Sequence, residues 1–211
     1  MQRTILATLA ATIAAASTGG AINVEVCIVN NNPKSNPIPK VAVIPAPKQG
    51  EEYIRTLLPH ILEAQKLARA ENLRIPFTSV TIAQAILESD YGKSKLARQG
   101  NNHFGLKRPH KDKQSPVIMM KDDDRDKRGK LVPSPFLIFP DATAATLRHY
   151  KRLNRPDIPG YAKGLDKTTP EAQINQIAKT YATNKKYAEA IITLIETYNL
   201  KQYDNTTKLN N

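Results

Sequence analysis

The chain has 211 residues, and its 31 Lys and Arg against 19 Asp and Glu give a formal net charge of +12. Its one cysteine, Cys27, excludes an intrachain disulfide, and the spacing of its four histidines matches no metal motif. We therefore expect no metal and no cofactor. The basic charge favours contact with polyanions, either nucleic acid or anionic cell-envelope polymers.

The N-terminal 21 residues have the composition of a secretory signal peptide. Arg3 precedes an apolar run from Ile5 to Ala16, and small residues follow. The run is short for a membrane span, and the alternative is an apolar N-terminal helix of a cytosolic protein. We expect a signal peptide over 1–21, and hence a secreted, periplasmic or envelope protein.

Residues 22–50 read as a proline-rich linker, because closely spaced prolines prevent a continuous helix. Helical periodicity begins at Glu51, where one long helix carries Pro59 as a predicted kink or restart. A second helix, with Thr78 or Ser79 as its N-cap, is predicted to end at Gly92. We expect a catalytic domain over 51–200 and a frayed polar tail over 201–211.

Two apolar, β-favouring runs, "SPVIMMK" and "LVPSPFLIF", flank the charged segment "DDDRDKRGK". Their pattern predicts two strands joined by a charged turn, the second made irregular by its prolines. Further helices are predicted after the N-cap residues Asp141 and Thr169, and around Tyr187. The expected fold class is mainly α (α+β), with one small β insertion.

Glu88 stands out within "TIAQAILESDYGKSKLARQGNNHFG". It lies at the boundary of the apolar face of its helix, just before a polar loop. A glycosidase acid must stay protonated near neutral pH, which requires a site poor in water. The amides of Asn101 and Asn102 in the loop suit binding of an amino sugar. The competing interpretation is an ordinary solvated helix glutamate.

Three separated motifs together resemble one known family, the glucosaminidase family of peptidoglycan hydrolases (glycoside hydrolase family 73). The motifs are "PFTSVTIAQAILESDYGKSKLARQGNNHFGLK", "PSPFLIFPDATAATLRHYKRL" and "KTYATNKKYAEAIITLIETYNL". The first is similar to the family pattern "AQAxxESxxGxSxLAxxGNNxFGxK". All three follow the family's order and spacing from about Glu51 to Leu200.

The resemblance implies a lysozyme-like helical domain with a small β-hairpin lobe. It also implies cleavage of the β-1,4 bond between N-acetylglucosamine and N-acetylmuramic acid. Glu88 matches the family's catalytic acid, and Tyr181 matches a tyrosine of its active site. The second carboxylate of the family lies on the β lobe, where Asp122 and Asp123 are favoured and Asp124 is a further candidate.

Several aromatic residues are expected to bind substrate by the same resemblance. Tyr91 keeps an aromatic ring where the family often has Gly-Trp, so it can stack on a sugar or pack. Phe104 belongs to the polar loop motif. Tyr187 matches a second tyrosine of the family, for which core packing is an equal alternative.

The mechanism stays open between three routes. A distant second carboxylate suits inversion through an activated water, and a close one suits retention. In the third route the substrate's own acetamido group is the nucleophile, with Glu88 as the chief catalyst and Tyr181 orienting the intermediate. The ambiguous aspartate run favours the third route slightly.

Two other functions compete with hydrolysis. A lytic transglycosylase also uses one glutamate but leaves an anhydro-muramic end. A non-enzymatic basic module would bind wall or nucleic acid through the lysines and arginines around the β lobe. Nucleic acid is not expected, because the interleaved aromatics of a nucleic-acid-binding surface are missing. The expected partners are a peptidoglycan glycan strand and anionic envelope polymers, and the protein is expected to be a monomer.

Overall fold

Helices and one small antiparallel sheet build the part of the chain that the structure describes. This structure is a computed structural model that describes residues 48–121, 125, 128–182, 184 and 186–204. The predicted signal peptide and almost all of the predicted linker lie outside these residues. The helices are α1 Lys48–Ala70, α2 Thr78–Ser89, α3 Lys95–Gly100, α4 Ala142–Leu153, α5 Pro159–Leu165, α6 Pro170–Tyr181 and α7 Tyr187–Thr197, followed by a 3₁₀ helix at Leu200–Tyr203. The mainly α fold class is confirmed.

The two predicted strands are present as β1 Val117–Met120 and β2 Ser134–Leu137. They pair antiparallel, with Val117 opposite Leu137 and Met120 opposite Ser134. The other edge of β2 binds the loop that follows α3, since the Leu137 N–H donates to the Leu106 carbonyl at 2.9 Å. This pairing ties the predicted substrate loop to the β lobe.

Helix α2 runs through the centre of the core. Every residue from Thr78 to Ile86 is buried, and the helix packs against α1, α6 and α7. A helix that is apolar on all sides is stable only when other elements surround it. The first residues of α2 to reach solvent are Leu87 and Glu88, so the helix delivers Glu88 to the boundary between core and surface.

Helix α1 differs from its predicted form at two points. It begins at Lys48, three residues before the predicted domain start at 51, and it does not restart at Pro59. Pro59 is exposed, while Leu57 and Ile61 on either side of it are buried at 2% and 0% exposure. Packing of both halves against the same core keeps them in one helix.

The N-terminus of α2 is capped from a distant part of the chain. Phe77 occupies the N-cap position and its side chain accepts no hydrogen bond, so the prediction of Thr78 or Ser79 at that position is wrong. Asp204 takes over the role. Its carboxylate accepts from the Ser79 N–H at 2.8 Å and from the Ser79 hydroxyl at 2.9 Å. The start of the predicted frayed tail is therefore ordered and structural.

The later helices follow their predicted caps, with one addition. Asp141 accepts from the Ala144 N–H at 2.8 Å, and Thr169 accepts from the Ala172 N–H at 3.2 Å. Helix α5 was not predicted. Gly164 lets it lie close to α6, since a Cβ there would stand 2.5 Å from Cγ1 of Ile177.

Among the described residues, no helix is both long enough and apolar enough to span a membrane. The longest, α1, has 23 residues but carries charged side chains along its exposed face.

Asp204→Ala is expected to lower the free energy of unfolding by about 1 kcal/mol, because it removes the cap of α2. For a domain of this size that loss corresponds to a Tm decrease of about 2–4 °C. Thermal unfolding followed by circular dichroism measures it. Asp157→Ala is the control, since Asp157 pairs with Arg155 at the surface and its replacement should change Tm little. Equal Tm values for the two variants would contradict the capping role.

Candidate active site

Glu88 projects from the C-terminal end of α2 into a wall of aromatic side chains. The Tyr187 hydroxyl, at the start of α7, donates to Oε1 of Glu88 at 3.1 Å. The Tyr181 ring, at the end of α6, stacks on Tyr187 with ring centroids 5.4 Å apart. Arg152 from α4 lies over the Tyr181 ring at 4.7 Å. Three helices that are distant in sequence thus converge on one carboxyl group.

This environment makes Glu88 an acid that can hold its proton. Its pKa rises from the ordinary value of 4.5 to about 7, chiefly because burial disfavours the charged form. The Tyr187 hydrogen bond and the positive charge of Arg152 lower the pKa by smaller amounts. Asp90, two residues further along the chain, is exposed and is not among the groups that shift the pKa of Glu88.

Tyr181 lies beside this acid as a buried neutral phenol. Its hydroxyl donates to the Phe104 carbonyl at 3.3 Å, and its side chain is 1% exposed. Burial, with the nearby Glu88 as the second cause, raises the Tyr181 pKa above its usual range. The structure therefore brings Tyr181 and Tyr187 together with Glu88, as the motifs suggested, while their part in catalysis stays a prediction.

The amide side chains of the polar loop after α3 donate hydrogen bonds within the protein. Asn102 is 1% exposed, and its amide donates to the carbonyls of Leu106 at 3.0 Å and Leu137 at 2.9 Å. Both of its N–H groups are thereby used within the protein. Asn101 donates to the carbonyls of Phe139 and Pro140, at 2.9 and 3.0 Å. These bonds fix the loop against the β lobe, and sugar binding by Asn101 or Asn102 stays a prediction.

Phe104 is likewise buried, at 1% exposure, and offers no open ring face. It stacks on His149 with centroids 4.4 Å apart and an interplanar angle of 4°. Its backbone neighbour Gly105 does face the acid. A Cβ at Gly105 would stand 3.5 Å from Oε2 of Glu88, and its φ of +58° favours glycine. The missing side chain leaves room beside Oε2.

Tyr91 lies just beyond the end of α2, in a run of three residues with positive φ. The φ angles are 50° at Asp90, 54° at Tyr91 and 75° at Gly92. The C-cap of α2 is Asp90, so the helix ends two residues before the predicted end at Gly92. Tyr91 is half-buried and accepts a hydrogen bond from the Tyr198 hydroxyl at 3.3 Å. Its role in substrate binding stays a prediction.

The predicted second carboxylates, Asp122, Asp123 and Asp124, lie outside the described residues. The described part of the chain holds no group of three His, Cys, Asp or Glu side chains placed to bind a metal. The chemistry of the described site therefore centres on one carboxyl group, two phenols and one guanidinium.

A family model described as "Glucosaminidase: Mannosyl-glycoprotein endo-beta-N-acetylglucosaminidase" matches residues 63–200 of the chain. The match covers more than half of its 211 residues. The chain belongs to the glucosaminidase family. The resemblance inferred from the three motifs is confirmed, and Glu88, Tyr181 and Tyr187 all fall within the matched segment.

Individual relatives of this glucosaminidase domain agree with that assignment. The chain is 34% identical over 132 residues to the exo-glucosaminidase LytG of Bacillus subtilis, covering 60% of this chain and 45% of LytG. It is 28% identical over 172 residues to a probable N-acetylmuramidase of Lactococcus lactis subsp. cremoris, covering 79% of this chain and 38% of that protein. The chain thus spans less than half the length of these two relatives.

A solved structure shows the same fold. The catalytic domain of the autolysin Auto (Lmo1076) from Listeria monocytogenes superposes with a TM-score of 0.60 at 27% identity. The superposition covers 76% of this chain and 90% of the Listeria domain. The lysozyme-like glucosaminidase fold is thereby confirmed.

The sequence interpretation missed three residues that the glucosaminidase fold brings to the acid: Gln84, His149 and Arg152. Gln84 precedes Glu88 by four residues, so helical spacing places both on one face of α2. His149 and Arg152 are three residues apart on α4 and share a face in the same way. Helical spacing shows which residues share a face, but which face meets α2 follows from tertiary packing.

The raised pKa of Glu88 predicts a pH-dependent stability that Glu88→Gln removes. Because the folded-state pKa lies above the unfolded value, the contribution is complete below about pH 4.5 and is lost as pH rises through about 7. The difference in the free energy of unfolding, Glu88→Gln minus wild type, should therefore be about 3 kcal/mol more positive at pH 8 than at pH 4.5. Urea unfolding at both pH values measures the difference.

The matched control for this comparison is Glu63→Gln, the same substitution at a residue whose side chain is 51% exposed on α1. It should change stability little, because an exposed pair such as Glu63 with Lys66 contributes little to the free energy of unfolding. A Glu88→Gln difference that does not grow with pH would show that the Glu88 carboxyl ionises as it does in water.

Proposed function

We propose that this member of the glucosaminidase family is an endo-β-N-acetylglucosaminidase of peptidoglycan. The reaction is hydrolysis of the β-1,4 bond between N-acetylglucosamine and N-acetylmuramic acid. One observation carries the proposal: Glu88 is half-buried among Tyr181, Tyr187 and Arg152, and its pKa lies near neutrality. A carboxyl group with that pKa can give a proton to a glycosidic oxygen at physiological pH.

The choice of bond rests on the family more than on the geometry. The relatives include an exo-glucosaminidase and a probable N-acetylmuramidase. These two classes of enzyme cut the glycan on opposite sides of N-acetylglucosamine. The matching family description names an endo-β-N-acetylglucosaminidase. We therefore propose cleavage that leaves N-acetylglucosamine at the new reducing end.

For the mechanism we propose that Glu88 acts twice and that the substrate supplies the nucleophile. Protonated Glu88 gives its proton to the glycosidic oxygen while the C1–O bond breaks. The acetamido carbonyl oxygen of the same sugar forms a bond to C1, giving an oxazolinium intermediate. Water then attacks C1 as the bond between C1 and the acetamido oxygen breaks, and it loses a proton to ionised Glu88, which restores both the acetamido group and the acid. A pKa of about 7 suits a group that alternates between acid and base.

Tyr181 and Arg152 have distinct parts in this scheme. The buried Tyr181 phenol stays neutral and stacks on Tyr187, so we assign it to supporting the wall beside the intermediate without adding charge. Arg152 interacts electrostatically with Glu88 and lowers its pKa, which stabilises the carboxylate left after proton transfer. Inversion or retention through Asp122 or Asp123 is the alternative to substrate assistance.

We also propose that the protein acts in the cell envelope on a glycan strand. The composition of residues 1–21 and the net charge of +12 support this location, since wall polymers and peptide stems carry negative charge.

Glu88→Gln is expected to lower the rate of peptidoglycan hydrolysis by about 100- to 10,000-fold, because the amide cannot give a proton to the leaving oxygen. Turbidity loss of purified sacculi and mass spectrometry of the products measure it. Wild type should release fragments with N-acetylglucosamine at the reducing end, and Glu63→Gln should match wild type. Anhydro-muramic ends would establish a lytic transglycosylase instead, and near-normal rates for Glu88→Gln would refute the assignment of the acid.

The double variant Asp122→Asn, Asp123→Asn separates the mechanisms. Substrate assistance predicts a rate within about threefold of wild type, because the nucleophile belongs to the sugar. A two-carboxylate mechanism predicts a loss comparable to that of Glu88→Gln. The measurement is the initial rate on a defined glycan fragment, and the single variants show which aspartate is responsible if the rate falls. Asp157→Asn, a surface substitution away from the β lobe, is the control.

A further inference from the structure

A chain of buried hydrogen bonds leads from Glu88 into the core. The Tyr187 hydroxyl donates to Oε1 of Glu88, and the Gln84 amide donates to the Tyr187 oxygen, both at 3.1 Å. The Gln84 carbonyl oxygen lies 3.1 Å from Nε2 of His149. Gln84 and His149 are each 0% exposed, and Tyr187 is 6% exposed. The two innermost members touch no solvent, and their placement behind the acid requires an explanation.

The chain has a definite direction. A phenol has one proton, and the Tyr187 oxygen already accepts from the Gln84 amide, so that proton is directed to Glu88. The Gln84 carbonyl oxygen must then accept from His149, which assigns the His149 proton to Nε2. Nδ1 of His149 is left as a bare acceptor, and it is the one buried side-chain nitrogen or oxygen of the described residues without a hydrogen-bond partner.

The opposite direction is less favourable. If the Gln84 amide were turned over, Tyr187 would donate to Gln84, and the His149 proton would move to Nδ1. A buried N–H without an acceptor costs more than a nitrogen lone pair without a donor. Because no described residue offers Nδ1 an acceptor, the order in which Tyr187 donates to Glu88 is the favoured one.

His149 keeps this order at every working pH. It is stacked on Phe104 and packed edge-on to Tyr181, with ring centroids 4.4 and 6.0 Å away. Burial, with Arg152 as the second cause, lowers the pKa of His149 to about 3. The imidazole thus stays neutral while Glu88 gains or loses its proton.

We propose that Gln84 and His149 are positioning residues that hold the Tyr187 hydroxyl hydrogen on Oε1 of Glu88. The catalytic proton then resides on the other oxygen, Oε2, beside the space left by Gly105. The consequence for catalysis rests on the proposed function, whereas the order of the hydrogen bonds does not. The role of the core glutamine and histidine is to present the proton on the carboxyl oxygen with an open approach.

Other groups also interact with Glu88 and must be held constant in a test. Among the described residues these are Tyr187 from α7, Tyr181 from α6 and Arg152 from α4. Of these three, only Tyr187 is linked to Gln84 by a hydrogen bond. A substitution cycle between residues 84 and 187 therefore isolates the proposed effect.

The first experiment measures the Glu88 pKa by carbon NMR of its side-chain carboxyl group, assigned by the signal missing in Glu88→Gln. In wild type, Tyr187→Phe removes a donor to the carboxylate and should raise the pKa by about one unit. In a Gln84→Met background no amide proton occupies the Tyr187 oxygen, so nothing holds the phenol hydrogen on Glu88. There, Tyr187→Phe should raise the pKa by less than half as much.

Gln84→Met adds no titrating group to the core. Gln65→Met is the matched control, because Gln65 is also buried, at 1% exposure, but donates to Thr78 at the start of α2. In the Gln65→Met background the full Tyr187→Phe shift should remain. An equal shift in the Gln84→Met background would overturn the proposal.

The second experiment needs no variant and removes any dependence on folding of Gln84→Met. Nitrogen NMR of the imidazole in the wild-type protein should show His149 with Nε2 protonated and Nδ1 bare, unchanged from pH 5 to pH 8. An Nδ1–H tautomer, or a titration of His149 in this range, would overturn the proposal. Neither experiment depends on activity, so loss of the proposed function would leave both results interpretable.

Discussion

The burial of the Glu88 carboxyl group is the interaction on which the other features of the site depend. Water would stabilise the ionised form, and the aromatic wall of Tyr181 and Tyr187 excludes much of that water. The carboxyl group is nevertheless not sealed, because Glu88 itself remains partly exposed at the end of α2. An acid that holds its proton and still meets solvent is the combination that glycoside hydrolysis requires.

Distant parts of the chain keep this carboxyl group in place. Asp204 caps the start of α2 from the end of the described chain, and Asn102 binds the following loop to β2. Phe104 in that loop accepts from Tyr181 and stacks on His149. Contacts at the start of α2, in the loop after α3 and in the core therefore fix the position of Glu88, which limits its movement relative to a substrate.

The sequence was most informative where a physical pattern is local. Apolar periodicity located α2, N-cap residues located the starts of α4 and α6, and β-favouring runs located both strands. It was least informative where a side chain acts at a distance. The sequence did not indicate that both amide N–H groups of Asn102 donate to backbone carbonyls of the loop and of β2. Asp204 resembled part of a frayed tail because its partner, Ser79, lies 125 positions away in sequence.

By itself the sequence determined the family and the mainly helical class, because three motifs follow in the family's order, and it singled out Glu88 as the predicted acid. Only the tertiary structure decided how that acid is tuned. The pKa of about 7 arises from burial of Glu88 among other helices, and its hydrogen bond comes from Tyr187, which lies 99 positions away in sequence. The buried hydrogen bonds through Gln84 to His149 also join residues that are distant in sequence. Solvent exclusion and hydrogen-bond direction are properties of packed surroundings, and no single segment contains them.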